Sequence, residues 1–392
     1  MSSNNNLYTF ITKLLAFFVL VIILLYPPFV FFQFVNEIMR IVLFAIIVIS
    51  LFIYHLLSSY KIRKLSTIGI LWLFLIIYFV ASVNTNFGEG LRTAIGYSMI
   101  LIFAMTLYSV LQSERKDIFF TNVFNIYVKM FFLIPIFCSI NFILNLISPS
   151  VNFLTESFSQ FIYNYQASPF GLSIPRSILG INFTRNFFFF IEPVYLAIFY
   201  LINIFIVGKS IEKHSRLFIV INLIGGFLTA SYLFFIGFFL MWFLTLRPFV
   251  KTLVILIAGP LILVFSSWFN DFFMVSSYAD RLLRVEIGME ILENFDVERV
   301  LVGAGYIFDF GFDRGVSSGI LASFIEGGLI GLCIPLMLVF VICWHNKALL
   351  VLFLLSFVLF ESFKLPFLWF AIIIAGEASK RTLALKTNVT IK

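Results

Sequence analysis

Apolar segments long enough to cross a lipid bilayer recur along almost the whole chain. About 20 apolar residues in a helix cross the roughly 30 Å of bilayer hydrocarbon, and candidate spans lie near 10–30, 41–58, 65–83, 95–112, 122–147, 187–207, 252–268 and 318–343. A composition of 62% hydrophobic and 11% charged residues excludes a soluble domain. The sequence therefore predicts an all-α polytopic integral membrane protein, with residues 1–392 forming a single membrane domain.

Two further regions predict pairs of short helices. Residues 217–246 carry Thr229 and Ser231 in the middle of an apolar stretch, and residues 348–376 are interrupted at ESFKLP (361–366). Counting each region as two helices gives about 12 transmembrane helices. The first span follows a single Lys without a small-residue cleavage site, so we expect it to be retained.

Lys and Arg concentrate in some of the predicted connections and set the orientation. Cytoplasmic flanks attract these residues, and the richest flanks are 60–64, 113–117, 208–216, 246–251, 345–347 and 377–386. Both termini are then cytoplasmic, and two larger extracytoplasmic loops remain at about 148–186 and 269–317. This orientation accounts for most of the net charge of +7, so nucleic acid is not expected as a partner.

The cations predicted to lie outside are nearly all arginine, with Lys364 as the exception. They are Arg40, Arg92, Arg176, Arg185, Arg281, Arg284, Arg299 and Arg314. Arginine contacts phosphate oxygens with a planar, permanently charged fork, so this bias favours a phosphate-bearing partner outside. Contact of single arginines with lipid headgroups is the alternative explanation.

The second loop predicts a helix over residues 279–294 whose two faces differ in charge. At about 100° per residue, Arg281, Arg284 and Gly288 share one face, and Glu286, Glu290 and Glu293 lie on the opposite one. Asp280 is placed either to pair with Arg284 or to cap the helix. An interfacial helix on lipid phosphate is the structural alternative to a pair of phosphate-binding forks.

Three other features attract attention. A glycine-rich segment, 299–319, predicts tight turns, and its Gly-x-Gly lacks the context of a nucleotide fold. Glu326, followed by two glycines, lies near the outer end of a span, where a carboxylate is a functional candidate. Arg185 and Glu192 flank four phenylalanines, and we expect a helix that places both on one face, opened locally by Pro193.

These stretches together resemble the O-antigen polymerase (Wzy-type) family, within the O-antigen ligase and polymerase superfamily. The matching motifs are RNFFFFIEP (185–193), LTAS (228–231), DRLLR (280–284) followed by VGAG (302–305), and EGGLIGL (326–332). The resemblance covers most of residues 170–345. Relatives often carry an arginine where this chain has Tyr232. The ligase branch has a histidine before the Gly-Leu-Ile-Gly stretch, and its absence here favours a polymerase.

The resemblance implies a metal-independent glycosyltransferase in the bacterial inner membrane. It would polymerise undecaprenyl-diphosphate-linked oligosaccharide repeats of lipopolysaccharide O-antigen or of a capsular polysaccharide, on the outer face. The implied roles are diphosphate binding by Arg281 and Arg284, supported by Arg176, Arg185 or Arg314, and a catalytic base, for which Glu192 comes first, then Glu326 and Asp280. No cofactor and no metal are expected. The expected partners are the lipid-linked substrate, membrane lipid and a chain-length regulator (co-polymerase).

Two alternatives remain open at this point. An O-antigen ligase would join a finished chain to a different acceptor, and a transporter or flippase would move the same lipid without making a bond. A transporter predicts internal repeats and charges at the bilayer midplane, whereas the charges of this sequence crowd the predicted outer edge. Cys138, Cys333 and Cys343 lie at unrelated spacings in apolar runs, so neither a disulfide nor a metal site is predicted.

Overall fold

Helices dominate the computed structural model of the protein, as expected for a chain with many long apolar segments. The structure describes residues 10–19, 21, 37–58, 73, 75–79, 89–112, 116–147, 166–168, 170–178, 181–186, 188, 190, 193–264, 277–304, 319–359 and 365–390. An apolar helical segment, Phe10–Val19, comes first.

The elements that follow are numbered in chain order. They are α1 (Glu37–Ser58), α2 (Glu89–Leu111), α3 (Lys116–Ile147), β1 (Gln166–Ser168), β2 (Gly171–Ile178), β3 (Ile181–Asn186), α4 (Pro193–Phe205), α5 (Ser215–Leu228), α6 (Tyr232–Thr245), α7 (Pro248–Val264), α8 (Ser277–Glu293), α9 (Val297–Val302), α10 (Gly319–Cys343), α11 (Lys347–Leu359) and α12 (Pro366–Thr390). A short 3₁₀ helix, Val207–Ser210, follows α4. Two short helices, α5 and α6, form in the region 217–246, as predicted. In the region 348–376 the short helix α11 is followed by α12, which has 25 residues and extends beyond the predicted pair.

The protein is membrane-embedded. By length and composition, three helical stretches of the described part can cross a membrane: Asp117–Ile147, Pro193–Ser210 and Gly319–Cys343. Shorter apolar helices accompany them, and large apolar side chains such as Ile49, Ile255 and Leu256 are exposed on helix surfaces. The count of about 12 spans stays a prediction.

A buried polar ladder joins α3, α4 and α5 inside the bundle. Tyr127 donates its hydroxyl to Asn203 (2.9 Å), and Asn203 donates to Asn222 (2.9 Å). Asn222 in turn donates to the carbonyl of Phe131 (3.1 Å). That carbonyl lies four residues before Pro135, which has no N–H to offer it. Asn222 therefore satisfies a backbone group that has no water to bind in a bilayer.

Several predicted cytoplasmic flanks meet at one end of the molecule, which we call the basic end. Arg381 forms an ion pair with Asp117 (2.8 Å), Thr382 donates to Ser210 (3.0 Å), and Asn346 donates to Ser379 (2.8 Å). Described residues of four predicted flanks thus lie together, namely Asp117, Ser210, Asn346 and the stretch from Ser379 to Thr382. Their common location agrees with the charge pattern, although the orientation in the membrane stays a prediction.

The first predicted outer loop contains a three-stranded antiparallel sheet in the order β1-β2-β3. It packs against the far end of α3, where Asn141 donates to Asn186 (2.9 Å) and Asn145 donates to Ser173 (3.3 Å). About 24 residues of helix separate Asn141 from Asp117, or roughly 36 Å. The sheet therefore lies at the opposite end from the basic end, and we call this the sheet end.

The prediction of one helix through Arg185 and Glu192 is wrong. Arg185 lies on β3, Phe190 forms an isolated β-bridge, and α4 begins only at Pro193. Pro193 is therefore the first residue of a helix, where the missing N–H costs nothing, and it does not open a helix interior. Glu192 lies outside the described residues.

The phenylalanine block packs within the protein. Phe190 is fully buried, with its ring centroid 5.6 Å from that of Phe199 and 6.1 Å from that of Phe367. Phe188 is stacked on Phe137 at 6.0 Å. These contacts fix the connection between β3 and α4 against the helical bundle.

Candidate functional site

Arg185 reaches from the sheet into the bundle. Its side chain is half-buried, and its Nε donates a hydrogen bond to the carbonyl of Thr229 at 3.1 Å. Thr229 belongs to the LTAS run between α5 and α6, so the structure brings two of the motifs quoted above into direct contact. A guanidinium is planar with its donors in a fixed fork, and the bond at Nε therefore orients the whole group.

The turn that receives Arg185 is polar and buried. Thr229 and Ser231 are both buried. The Thr229 hydroxyl donates to the carbonyl of Gly226 (2.7 Å) and accepts from the Ser231 N–H (3.3 Å). Ala230 has a φ of 44°, a left-handed conformation that is costly for a residue with a Cβ. These hydrogen bonds stabilise the tight turn between α5 and α6.

The depth of this turn follows from the length of α5. Fourteen residues give about 21 Å of helix, less than the roughly 30 Å of hydrocarbon. A helix of this length does not cross the hydrocarbon by itself, so we expect the turn at its end to lie within that layer. The hydrogen bond from Arg185 to the carbonyl of Thr229 places a cation beside the backbone polar groups of this turn.

The strand that carries Arg185 is hydrogen-bonded to α3 and paired with β2. Asn186, the next residue, accepts from Asn141 and is fully buried. Ile174 is the cross-strand partner of Arg185, and Phe183 is that of Arg176. Since strand positions alternate between faces, positions 176 and 185 share one face of the sheet.

A second group forms where α8 packs on α10. Ile291 of α8 makes a small buried core with Ala322 and Ile325 of α10. Gly288 is buried, whereas Glu286, Glu290 and Glu293 are exposed. The predicted helix is confirmed, and the three carboxylates lie on its exposed side. Helical periodicity puts positions 281 and 284 on the same face as Gly288 and Ile291, the face that packs on α10.

Glu326 lies at an interruption of α10. It is 4% exposed, and two residues later Gly328 departs from helical geometry with φ 61° and ψ −164°. The carbonyl of the preceding Ile325 accepts a hydrogen bond from the N–H of Ala304 at 2.7 Å. Ala304 of the VGAG motif therefore meets the backbone of α10 one residue before the EGGLIGL motif.

Glycine is required on both sides of this junction. Gly303 has φ 85°, and a Cβ there would collide with the carbonyl of Glu326. At Gly328 a Cβ would come within 2.5 Å of the backbone of Leu301. The absence of both Cβ atoms lets the segment after α9 lie directly on the turn of α10 that carries Glu326.

The second group lies toward the sheet end. Cys343, the last residue of α10, is three residues from Asn346 at the basic end. The interruption at Gly328 precedes Cys343 by 15 residues, or about 22 Å of helix, and Glu326 lies just beyond it. Both groups are thus displaced from the basic end in the same direction.

The predicted site residues fall into three sets. Arg185 and Glu326 have described side chains and lie in the first and second groups respectively. Arg176 is placed on β2, and Asp280, Arg281 and Arg284 on α8. Glu192 and Arg314 lie outside the described residues. Sequence reasoning missed Asn141 and Asn186, although an asparagine inside an apolar span, such as Asn141, is a signal of polar contacts between elements.

The next feature is the arrangement of side chains that could bind a metal ion. Among the described residues, no three His, Cys, Asp or Glu side chains lie close enough together to hold a metal ion. In comparisons with known proteins, no family model matches the chain and no curated protein matches it significantly.

Proposed function

We propose that the chain is a membrane glycosyltransferase that polymerises polyprenyl-diphosphate-linked oligosaccharide repeats on the outer face of the bacterial inner membrane. The contact between Arg185 and the carbonyl of Thr229 carries this proposal. It joins a cation of the first predicted outer loop to a buried polar turn of the bundle, near the end opposite the basic flanks. A diphosphate attached to a membrane lipid would approach at this boundary.

The proposed reaction has a simple balance. The hydroxyl oxygen of the acceptor sugar attacks the anomeric carbon of the donor, and the bond between that carbon and the diphosphate oxygen breaks. The electron pair leaves with the diphosphate, and the proton goes to a carboxylate. Oriented arginines stabilise the developing negative charge most strongly in a site of low dielectric.

We assign the catalytic and binding roles to residues of the two groups described above. Arg185 is assigned to one diphosphate, and Arg281 and Arg284 on α8 to the other, with Arg176 and Arg314 in support. Glu326 is the leading candidate for the base because it is buried on the helix against which α8 packs. Glu192 and Asp280 are the other candidates.

One observation favours a second candidate, a transporter of the same lipid. Transporters commonly bind substrate at discontinuous helices, and α10 is interrupted at Gly328 beside the buried Glu326. A transporter makes no glycosidic bond, so a single biochemical experiment separates the two functions.

The experiment supplies purified protein with the lipid-linked repeat that accumulates when the gene is deleted, in liposomes containing EDTA. We expect the products to form a ladder with one-repeat spacing on a gel. Free polyprenyl diphosphate should be released as the ladder forms. Arg185→Ala should abolish the ladder. Arg247→Ala, which removes an exposed arginine between α6 and α7, should leave it unchanged at the same protein level.

Each other result has a defined meaning. Transfer to lipid A core without a ladder would assign a ligase, and movement of the lipid across the liposome without a new bond would assign a transporter. A ladder that EDTA prevents would overturn the metal-independent account of catalysis.

A further inference from the structure

A pocket opens at the basic end, remote from both groups of the candidate site. Its volume is about 480 Å³, and its walls are the first turns of α3, the segment from Ser210 to Lys213 and the residues around Arg381 in α12. Pockets of this size hold small molecules or lipid headgroups. The ion pair between Asp117 and Arg381 and the hydrogen bond between Thr382 and Ser210 close it on one side.

The α3 wall carries an apolar stripe. Phe120, Phe124 and Val128 line the pocket at intervals of four residues, so they follow one another along one face of the helix. Eight residues of helix extend over about 12 Å. The stripe is therefore long enough to accompany the first part of an acyl chain.

The position of the stripe relative to the bilayer follows from the polar ladder. Tyr127 of α3 bonds to Asn203 of α4, and seven residues separate Asn203 from Ser210 at the end of that span. Phe120 precedes Tyr127 by the same number of residues, so Phe120 lies about level with Ser210. The stripe thus extends from the level of Ser210, where the apolar span ends, toward the interior of the bundle.

The polar rim offers groups that bind phosphate. Lys213 supplies an exposed ammonium, and Thr121, Ser210 and Asn125 supply hydroxyl and amide groups. Arg381 is already engaged, because it pairs with Asp117 and Glu377 and lies 4.0 Å above the Phe120 ring. Glu212 adds an exposed carboxylate next to Lys213. A cation and a carboxylate side by side complement a headgroup that carries both phosphate and ammonium.

We propose that this pocket binds a glycerophospholipid, with the phosphate at Lys213 and one acyl chain along Phe120, Phe124 and Val128. The site is independent of the proposed glycosyltransferase function and lies at the opposite end of the bundle. A soluble phosphate compound would use the same rim but would leave the apolar stripe uncovered.

Native mass spectrometry of the purified full chain tests the proposal, with dioleoyl phosphatidylethanolamine as the probe. We expect one tightly retained lipid in the unmodified protein. Asn125→Trp, which fills the pocket, and Lys213→Glu, which reverses the charge at the rim, should each weaken binding about tenfold. Thr252→Trp and Lys209→Glu introduce the same side chains at exposed positions outside the pocket and should leave binding unchanged.

Competition experiments identify the source of the phosphate. Glycerol 3-phosphate should fail to displace the lipid at equal concentration. Displacement by that compound would overturn the phospholipid assignment in favour of a soluble ligand, and stronger binding of undecaprenyl phosphate would overturn it in favour of a polyprenyl lipid. Equal retention in all five proteins, each monodisperse in gel filtration, would show that the pocket is not the binding site.

Discussion

At the scale of single residues, adjacent glycines in α10 have opposite requirements. Gly328 has a left-handed φ of 61°, and a Cβ there would meet the backbone of Leu301. A Cβ on Gly327 would lie 3.5 Å from its nearest neighbour, the hydroxyl of Tyr78, which is an ordinary contact distance. The junction with α9 therefore requires glycine at position 328 but leaves room for a methyl group at position 327.

We predict that Gly328→Ala destabilises the protein by about 2 kcal/mol or more, because alanine pays the cost of left-handed backbone and cannot avoid Leu301. Gly327→Ala should be neutral or slightly stabilising, since alanine is the better helix former. Thermal unfolding of both variants in detergent, followed by gel filtration of a fluorescent fusion, measures the difference. Equal loss in the two variants would contradict the described geometry at the interruption.

At the scale of elements, α8 separates its charges by face. The acidic side chains Glu286, Glu290 and Glu293 are exposed, and Gly288 and Ile291 are buried toward α10. Positions 281 and 284 belong to the packed face by periodicity. The apolar contacts of α8 therefore orient the helix so that positions 281 and 284 lie on the face toward α10, the helix that carries Glu326, and the carboxylates lie on the exposed face.

We predict that Arg281→Ala and Arg284→Ala each abolish polymer while the protein level in membranes stays normal. Glu290→Ala, on the exposed face, should be tolerated. Arg284→Lys should restore little activity, because an ammonium lacks the planar fork. Polymer ladders from cells expressing each variant provide the measurement, and equal loss at 284 and 290 would make the helix purely structural.

Element types were predictable where length and periodicity were decisive, and not elsewhere. The polar break at Thr229 and Ser231 and the amphipathic pattern of 279–294 correctly predicted α5, α6 and α8. The run from Arg185 to Pro193 was misjudged, because an apolar run of this length fits a buried strand as well as a helix. The cross-strand partners in β2 decide between them, and a sequence pattern does not specify such pairing.

At the scale of the whole molecule, the charged flanks and the sheet occupy opposite ends of α3. The basic end is held by Arg381, Asp117, Ser210 and Thr382, and the sheet end by Asn141 and Asn186. Charge asymmetry in membrane proteins sets orientation. The basic end is therefore expected to face the cytoplasm, with the candidate site outside.

We predict that an impermeant maleimide labels Glu298→Cys in intact spheroplasts but labels Glu212→Cys only after lysis. Both positions are exposed, so accessibility within the protein does not limit either reaction. The background should lack Cys138, Cys333 and Cys343. External labelling at 212 would reverse the proposed orientation and place the candidate site in the cytoplasm.

The sequence by itself determined the membrane character, the position of most helices and the residues worth testing, because hydrophobicity and helical period are local properties of a chain. Tertiary structure alone decided that Arg185 reaches Thr229 and that Gly303 lies on Glu326. Residues 185 and 229 are 44 apart, and residues 303 and 326 are 23 apart. Contacts over such separations depend on how helices pack and where strands pair, and these are properties of the folded bundle that no local pattern encodes.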